Sequence, residues 1–516
     1  MEKSVQKNRV NWIMGALLLS MFLSSLDQTI VTTALPTIVE KLGGLDLISW
    51  VFTIYMLAST AVMPIVGKLS DMYGRKRFYL TGLLLFLGGS ALCGAASTME
   101  QLIIFRGIQG IGAGFLMPIT FTLIFGLMPQ DKAGRFQALF MSVFALSSVI
   151  GPTLGSFITT HLNWRWNFYI NLPLGIVSFI ILSMALFEQK NEEKKHIDYL
   201  GSILLVVSTI SILLALKMGG VDYGWLSWQI LGLFTIGVIS IISFFVTEMK
   251  VKEPILPLGL FKNRVIASSS LVTFIQGVVM FGSLLYIPIF VQGGLGGNVS
   301  DAGNAVTPMM FSVMIGASIS SFTMTKLSWR INMLASMLIT GVGLFFMTNM
   351  PLDANKWIVR LDMVVIGAGI GILMPIAQTA VTVSAAERYQ GIATSTVTFF
   401  RAIGGVFGTA IMAALVNRHM ETAIQSGAPK LGVPAEKLEM FTNPQVLLRA
   451  GGQIPEQVLT MLKNALGDSI HLGFWFLVGA AVIGFLSACF AGSSRFDPVA
   501  YKKKQAAKQQ TVEMPN

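Results

Sequence analysis

Fourteen apolar runs, each about 20 residues long and so able to cross a bilayer as a helix, divide this chain of 516 residues. They lie near 11–37, 48–66, 78–97, 101–127, 137–160, 167–187, 199–217, 228–247, 266–291, 304–325, 331–349, 358–383, 389–416 and 470–491. Only helices and closed barrels satisfy their backbone polar groups inside hydrocarbon, and runs of this length are helical rather than barrel strands. The expected fold class is therefore an all-α polytopic membrane protein with 14 transmembrane helices. Composition agrees: 53% of residues are hydrophobic, mean hydropathy is +0.70 and only 12% are charged, against about 25% in soluble domains.

An even number of spans places both termini on one side. With that side taken as the cytoplasm, 24 of the 36 basic residues fall in cytoplasmic segments, and the short outside loops are poor in Lys and Arg. This is the positive-inside pattern, and it accounts for the net charge of +11 without invoking nucleic acid. The basic residues before the first run resemble the start of a signal peptide, but that run is too long and no small-residue cleavage site follows, so a retained first helix is expected. Segment 417–469 is read as an extracellular loop with short surface helices, and 492–516 as a polar cytoplasmic tail.

Several chemistries find no residues. The two cysteines, Cys93 and Cys489, each sit in an apolar run, and His161, His196, His419 and His471 are scattered. That pattern provides no disulfide framework, metal cluster or nucleophilic triad, and no GxxxxGK[ST] loop exists for nucleotide. The glycine-rich "GIQGIGAG" (107–114) resembles the start of a dinucleotide fingerprint, but it lies inside an apolar span with no strand before it. Close helix packing is the better reading.

An internal repeat organises the spans. "GIGAGFLMPI" (110–119) aligns without a gap on "GAGIGILMPI" (367–376), and "IGPTLGS" (150–156) aligns on "IGGVFGT" (403–409). Helices 4–5 thus correspond to helices 12–13. The chain divides into a six-helix half (1–187), an inserted two-helix linker (188–265, helices 7–8) and a second six-helix half (266–491, helices 9–14). Paired repeats of this kind build many secondary transporters, with the substrate site between the halves near the membrane midplane.

Four ionisable residues lie within spans away from their ends: Asp27, Arg106, Asp362 and Arg401. Each is a functional hypothesis by default. At about 1.5 Å per residue, Asp27 and Arg401 lie near the midplane, while Arg106 and Asp362 lie closer to the outer ends. A direct Asp27–Arg106 pair stays open on these depths. None of the four has a charged counterpart in the other half. Helical spacing places Ser20, Ser24 and Asp27 on one side of helix 1 with Gln28 adjacent, a stripe expected to face a water-accessible cavity between the halves.

Five motifs carry a resemblance. "GKLSDMYGRKR" (67–77) resembles the helix 2–3 loop of the major facilitator superfamily, "RGIQGIGAG" (106–114) its helix-4 motif, and "GPTLG" (151–155) the helix-5 motif associated with antiporters. "LDQTIVTTALP" (26–36) and "WRWNFYINLP" (164–173) resemble motifs of its fourteen-helix drug:proton antiporter branch. The resemblance implies export of lipophilic drugs or toxic compounds by alternating access, coupled to protons, by a monomer in a bacterial cytoplasmic membrane. It implies protons, small molecules and the lipid bilayer as partners, with no cofactor, metal or nucleic acid. It gives Asp27 and Arg106 a proton-coupling role, Gly67, Asp71, Gly74 and Arg75 a conformational latch, and Gly151, Pro152 and Gly155 a hinge or seal. Relatives often carry an acid at the cytoplasmic end of helix 4, where this chain has Gly126, and some carry one in helix 13, where it has Arg401.

Physically, burial disfavours a charged carboxylate, so Asp27 is expected to take a proton from outside and release it inside, where proton and substrate compete for it. Its protonation is expected to depend on whether Arg401 faces the same cavity. Asp71 and Arg75 are four apart, which allows a local ion pair, and Asp71 can also face the N-terminus of a helix from the other half. Aromatic, Met and polar candidates for a drug pocket are Tyr55, Met117, Gln276, Phe281 and Phe399. An exporter of a dedicated metabolite, lipid or peptide-like compound remains an alternative, as does a non-transporting sensor, although the chain has no cytoplasmic output domain.

Overall fold

The computed structural model describes residues 2–44, 47–127, 153–186, 197–220, 223–251, 253–297, 299–431 and 455–495, with isolated positions between them. Helices follow one another along the chain: α1 (Glu2–Leu42), α2 (Ile48–Tyr73), α3 (Arg75–Ala95) and α4 (Met99–Leu127). The fifth expected span lies mostly outside the described residues; its outer part, 153–161, is helical and is here α5. After a single turn (Trp166–Tyr169) come α6 (Asn171–Ala185), α7 (Tyr199–Met218), α8 (Trp228–Glu248), α9 (Arg264–Ile289), α10 (Val299–Lys326), α11 (Trp329–Met347), α12 (Lys356–Ser384), α13 (Gln390–Gly427) and α14 (Glu456–Ala488). Thirteen helices among the described residues are long and apolar enough to cross a membrane.

Side-chain caps mark several helix starts, as chains leaving water for lipid require. Asp198 accepts from the N–H of Gly201 at 2.8 Å, Asn263 from Val265 at 2.9 Å and Asn355 from Trp357 at 3.0 Å.

The repeat seen in the sequence is a repeat of packing. In α4, Gly110 and Gly114 lie against the backbone of Tyr55 and Ser59 in α2, and Gly112 lies against Phe86 in α3. In α12, Gly367 and Gly371 lie against Met309 and Val313 in α10, and Gly369 lies against Ser336 and Thr340 in α11. A Cβ at Gly110 would sit 2.5 Å from the Tyr55 carbonyl oxygen, so only glycine permits this approach. The glycine run is thus a packing device, as its place in an apolar span implied. The "IGPTLGS"/"IGGVFGT" pair repeats the theme: Gly151 lies against Thr29 of α1, and Gly404 and Gly408 lie against Phe274 and Val278 of α9. Gly155 is helical and buried, and Pro152 lies outside the described residues.

The inserted pair α7–α8 packs on the seam between the halves. Leu205 of α7 and Phe244 of α8 share an apolar cluster with Ile255 and Leu256 of the following segment, with Ile65 of α2, and with Ile392 and Phe399 of α13. The Glu248 carboxylate accepts from the N–H groups of Ile255 and Leu256 at 3.0 and 3.2 Å, folding that segment back. From it, Glu253 reaches Lys68 of α2 at 2.9 Å.

One expectation changes. Segment 417–469 was expected to carry separate surface helices, but its described ends continue the flanking spans. α13 runs to Gly427 and α14 begins at Glu456, so "EQVLTMLKNALGDS" is the first part of α14. The two extensions pack on each other, with His419 Nδ1 2.9 Å from Ser469 Oγ. Their apolar faces, including Ile424, Leu462 and Leu466, carry the core outward, so the helices have no reason to stop at the membrane surface.

Candidate functional site

Asp27 is fully buried in the first half, and two helices, α4 and α6, bring three donors to it. Arg106 Nη1 of α4 lies 2.5 Å from Asp27 Oδ2. Gln109, one turn along α4, donates through Nε2 to Asp27 Oδ1 at 2.8 Å, and Asn171 of α6 donates to the same oxygen at 3.1 Å. The Arg106 side chain spans the difference in depth that left this pair open from sequence. Its Nη1 also donates to Gln109 Oε1 at 2.9 Å and its Nε to the Val51 carbonyl at 3.3 Å. The Tyr55 ring lies 4.1 Å from the guanidinium carbon. Asp27, Arg106 and Gln109 each have 0% exposure. A buried ion pair is tolerable only when its remaining lone pairs and protons are answered, and here ring, amides and backbone answer most of them.

The helix-1 stripe accordingly does not open onto water in this conformation. Ser20 is hydrogen-bonded to Ser178 of α6 at 2.6 Å, and Ser178 also donates to the Ala16 carbonyl. Ser24 lies 3.5 Å from the Tyr55 hydroxyl. The polar face of α1 is satisfied by its own half, and only Gln28 of the stripe is partly exposed.

"WRWNFYINLP" builds the back of the site. Arg165 donates to the carbonyls of Gly94 and Ala96 at 2.7 and 2.6 Å, closing the C-terminus of α3. Asn167 donates to Thr159 of α5, and the Phe168 carbonyl accepts from Ser90. Asn171 bonds Ser90 at 2.9 Å while it reaches Asp27. Neither Gln109 nor Asn171 was singled out from sequence. The signal was present, since both are uncharged polar residues inside apolar spans and inside motifs already noted, but attention to charge alone passes over them.

The other two buried charges stand apart. Arg401 of α13 donates through Nε to Gln276 Oε1 of α9 at 3.3 Å, and Gln276 donates to the Ile370 carbonyl of α12 at 2.8 Å. Asp27 is bonded by Arg106, Gln109 and Asn171, so the expected dependence on Arg401 is not a direct contact. Asp362 is buried with Oδ2 unbonded and pairs with neither arginine among the described residues.

The candidate substrate contacts scatter. Tyr55 is buried under Arg106, and Gln276 is the partner of Arg401. Phe281 lies against Gly405 of α13, and Met117 is half-buried beside the core. Phe399 packs with the inserted pair. Two positions along a helix turn about 200°, so Phe399 and Arg401 face different neighbours.

At the cytoplasmic ends the halves meet. Asp71 of α2 accepts from the first N–H groups of α13, Gly391 at 2.6 Å and Ile392 at 3.2 Å. Arg75 donates to the other Asp71 oxygen at 3.2 Å and to the Thr122 carbonyl of α4 at 3.5 Å. Both contacts considered for Asp71 therefore occur together. A backbone carbonyl on α4 serves Arg75 near the position where relatives carry an acid. Gly67 abuts Ser395 and Gly391 abuts Asp71, so a methyl group at either would collide with the opposite half. Gly74, at φ 104°, makes the turn into α3 in a conformation that favours glycine.

A family model described as Major Facilitator Superfamily matches residues 17–409. The multidrug transporter protein MdtP of Bacillus subtilis (strain 168) is 38% identical over 533 aligned residues, covering 99% of this chain and 98% of that protein. Multidrug resistance protein 3 of the same organism is 39% identical over 499 aligned residues, covering 96% and 98%. Among solved structures, the human organic anion transporter MFSD10 aligns with a TM-score of 0.61 at 12% identity, over 93% of this chain and 99% of that one. A bacterial homologue of the lysosomal transporter Spinster aligns at 0.56 and 16% identity, over 95% and 99%. At such identities these two speak for the fold alone.

Proposed function

Because the chain belongs to the Major Facilitator Superfamily and is a multi-pass membrane transporter, we propose that it exports lipophilic drugs from the cell in exchange for protons. The relatives named as multidrug transporters support the substrate class. The observation that carries the proton coupling is the Asp27–Arg106 pair, a carboxylate of 0% exposure whose charge is held by one guanidinium and two amides.

A proton reaching Asp27 removes the negative charge that Arg106 and Gln109 answer. The pair then loses its Coulombic gain, and Arg106 must find other acceptors. Such a change is worth several kcal/mol in a buried site, enough to bias an equilibrium between two packings of the halves. Asp71, bonded to the start of α13, holds the inner side closed in the conformation described here. Opening inward breaks those bonds, lets Asp27 release its proton, and admits substrate from the cytoplasm or inner leaflet. Proton entry from outside and substrate exit close the cycle.

Proteoliposomes with an imposed pH gradient test this. Wild-type protein is expected to drive dye accumulation against its gradient, and Asp27→Asn, which keeps the shape and loses the titratable group, to abolish the pH-driven component. Undiminished pH-driven uptake by the variant would refute the role of Asp27.

A further inference from the structure

Arg401 is the one buried cation of the four intramembrane charges that no carboxylate answers among the described residues. It is 6% exposed, its Nε has only the neutral oxygen of Gln276 at 3.3 Å, and its Nη2 has no partner. Arg106, at 0% exposure and with its own Nη2 unbonded, has Asp27 at 2.5 Å and a tyrosine ring besides, so the difference between the two arginines is the counter-charge. Taking a guanidinium out of water costs several kcal/mol unless a counter-charge or a full set of acceptors repays it. Here no counter-charge among the described residues offsets that cost, and the one acceptor is the neutral oxygen of Gln276.

The surroundings hold Arg401 in place without neutralising it. Gln276 is 0% exposed and anchored by its own Nε2–H to the Ile370 carbonyl, so its oxygen is fixed toward Arg401. Gly277 and Gly404 bring the α9 and α13 backbones into contact around the pair. Guanidinium is the side chain best suited to bidentate recognition of carboxylate, sulfonate or phosphate groups.

We infer that Arg401 and Gln276 form a binding subsite in the second half for an anionic group, a carboxylate or its like, on the transported compound. The inference rests on the transporter reading above, and it makes the two halves complementary: the first holds a carboxylate that exchanges protons, the second holds a cation that takes the acidic end of the substrate. Compounds that are lipophilic and carry one acidic group, including zwitterions, are then preferred over their neutralised or purely cationic analogues.

The test is binding to purified full-length protein, read by fluorescence anisotropy, with two dyes that share one scaffold: rhodamine B, which carries a free carboxylate, and its ethyl ester, which does not. Wild-type protein binds the acid about tenfold more tightly than the ester, as one charge-assisted hydrogen-bonded pair supports. Arg401→Gln removes that preference and leaves ester affinity within about twofold, a change of about 0.4 kcal/mol, because the ester presents no anionic group to the guanidinium. Arg401→Lys keeps part of it. Gln276→Glu gives Arg401 an internal counter-charge, so it abolishes the preference while Arg401 remains, which separates the subsite from a folding defect. Equal affinity for the two dyes in wild-type protein, or a preference that survives both Arg401→Gln and Gln276→Glu, overturns the subsite. Binding is read without a proton gradient, so failure of pH-driven transport in proteoliposomes counts against the antiport reading and leaves this result standing.

Discussion

Asp27 is answered so completely that its neighbours become testable one at a time. Gln109→Leu and Asn171→Leu each remove a donor from a fully buried carboxylate, and each is expected to cost about 1.5–3 kcal/mol, the range for hydrogen bonds to charged groups. The readout is a lower Tm of the purified protein. Arg106→Gln leaves the carboxylate without its counter-charge and should cost more, about 3–5 kcal/mol. Adding Asp27→Asn to Arg106→Gln should recover part of that loss, because two neutral amides can bond where one charge could not. A thermal double-mutant cycle with no coupling between these positions would contradict the ion pair. The four charges were legible as residues, since a charge in a 20-residue apolar run cannot be missed. Their pairing was not, because depth along a helix says nothing of side-chain reach or of which way a helix is rotated. Asp27 lies on the polar stripe of α1, and that stripe was expected to face water; it faces α2, α4 and α6.

The helices themselves pack by a rule repeated in both halves. Gly371 of α12 lies against the Val313 backbone of α10, whereas Gly479 of α14 has nothing within 4 Å of where a Cβ would stand. Gly371→Leu is expected to force the two helices apart, with the roughly 1–3 kcal/mol or more that overpacking costs, and to lower the monodisperse fraction in size-exclusion chromatography. Gly479→Leu should leave it unchanged. The glycine repeat was readable because close approach demands glycine at fixed spacing and the spacing survives in both halves. The length of α13 and α14 was not readable. Hydropathy marks where a helix leaves lipid, but these two continue because each covers the other, a tertiary contact with no signature in a single run.

At the scale of the whole molecule, the halves are joined at the cytoplasmic side by Asp71 on the start of α13, with the inserted pair laid across the same seam. The attraction between a carboxylate and a helix N-terminus is worth about 0.3–2 kcal/mol, and the charge-assisted bonds to Gly391 and Ile392 add to it. Asp71→Asn should therefore loosen the inner side. In a background lacking Cys93 and Cys489, a cysteine at Ser395, which is fully buried beside Gly67, should react with a membrane-impermeant maleimide from the cytoplasmic side faster in Asp71→Asn than with Asp71 intact. An unchanged rate would remove Asp71 as a latch. Fourteen apolar runs, their orientation and the two-fold repeat follow from the chain alone, because crossing a bilayer imposes length, hydropathy and charge bias on each segment separately. Which buried charge meets which, that the inserted helices bridge both halves, and that Arg401 is left with a neutral partner were decided only by tertiary structure. Those outcomes depend on the rotation and approach of helices far apart in sequence, and hydropathy and spacing along one segment do not encode them.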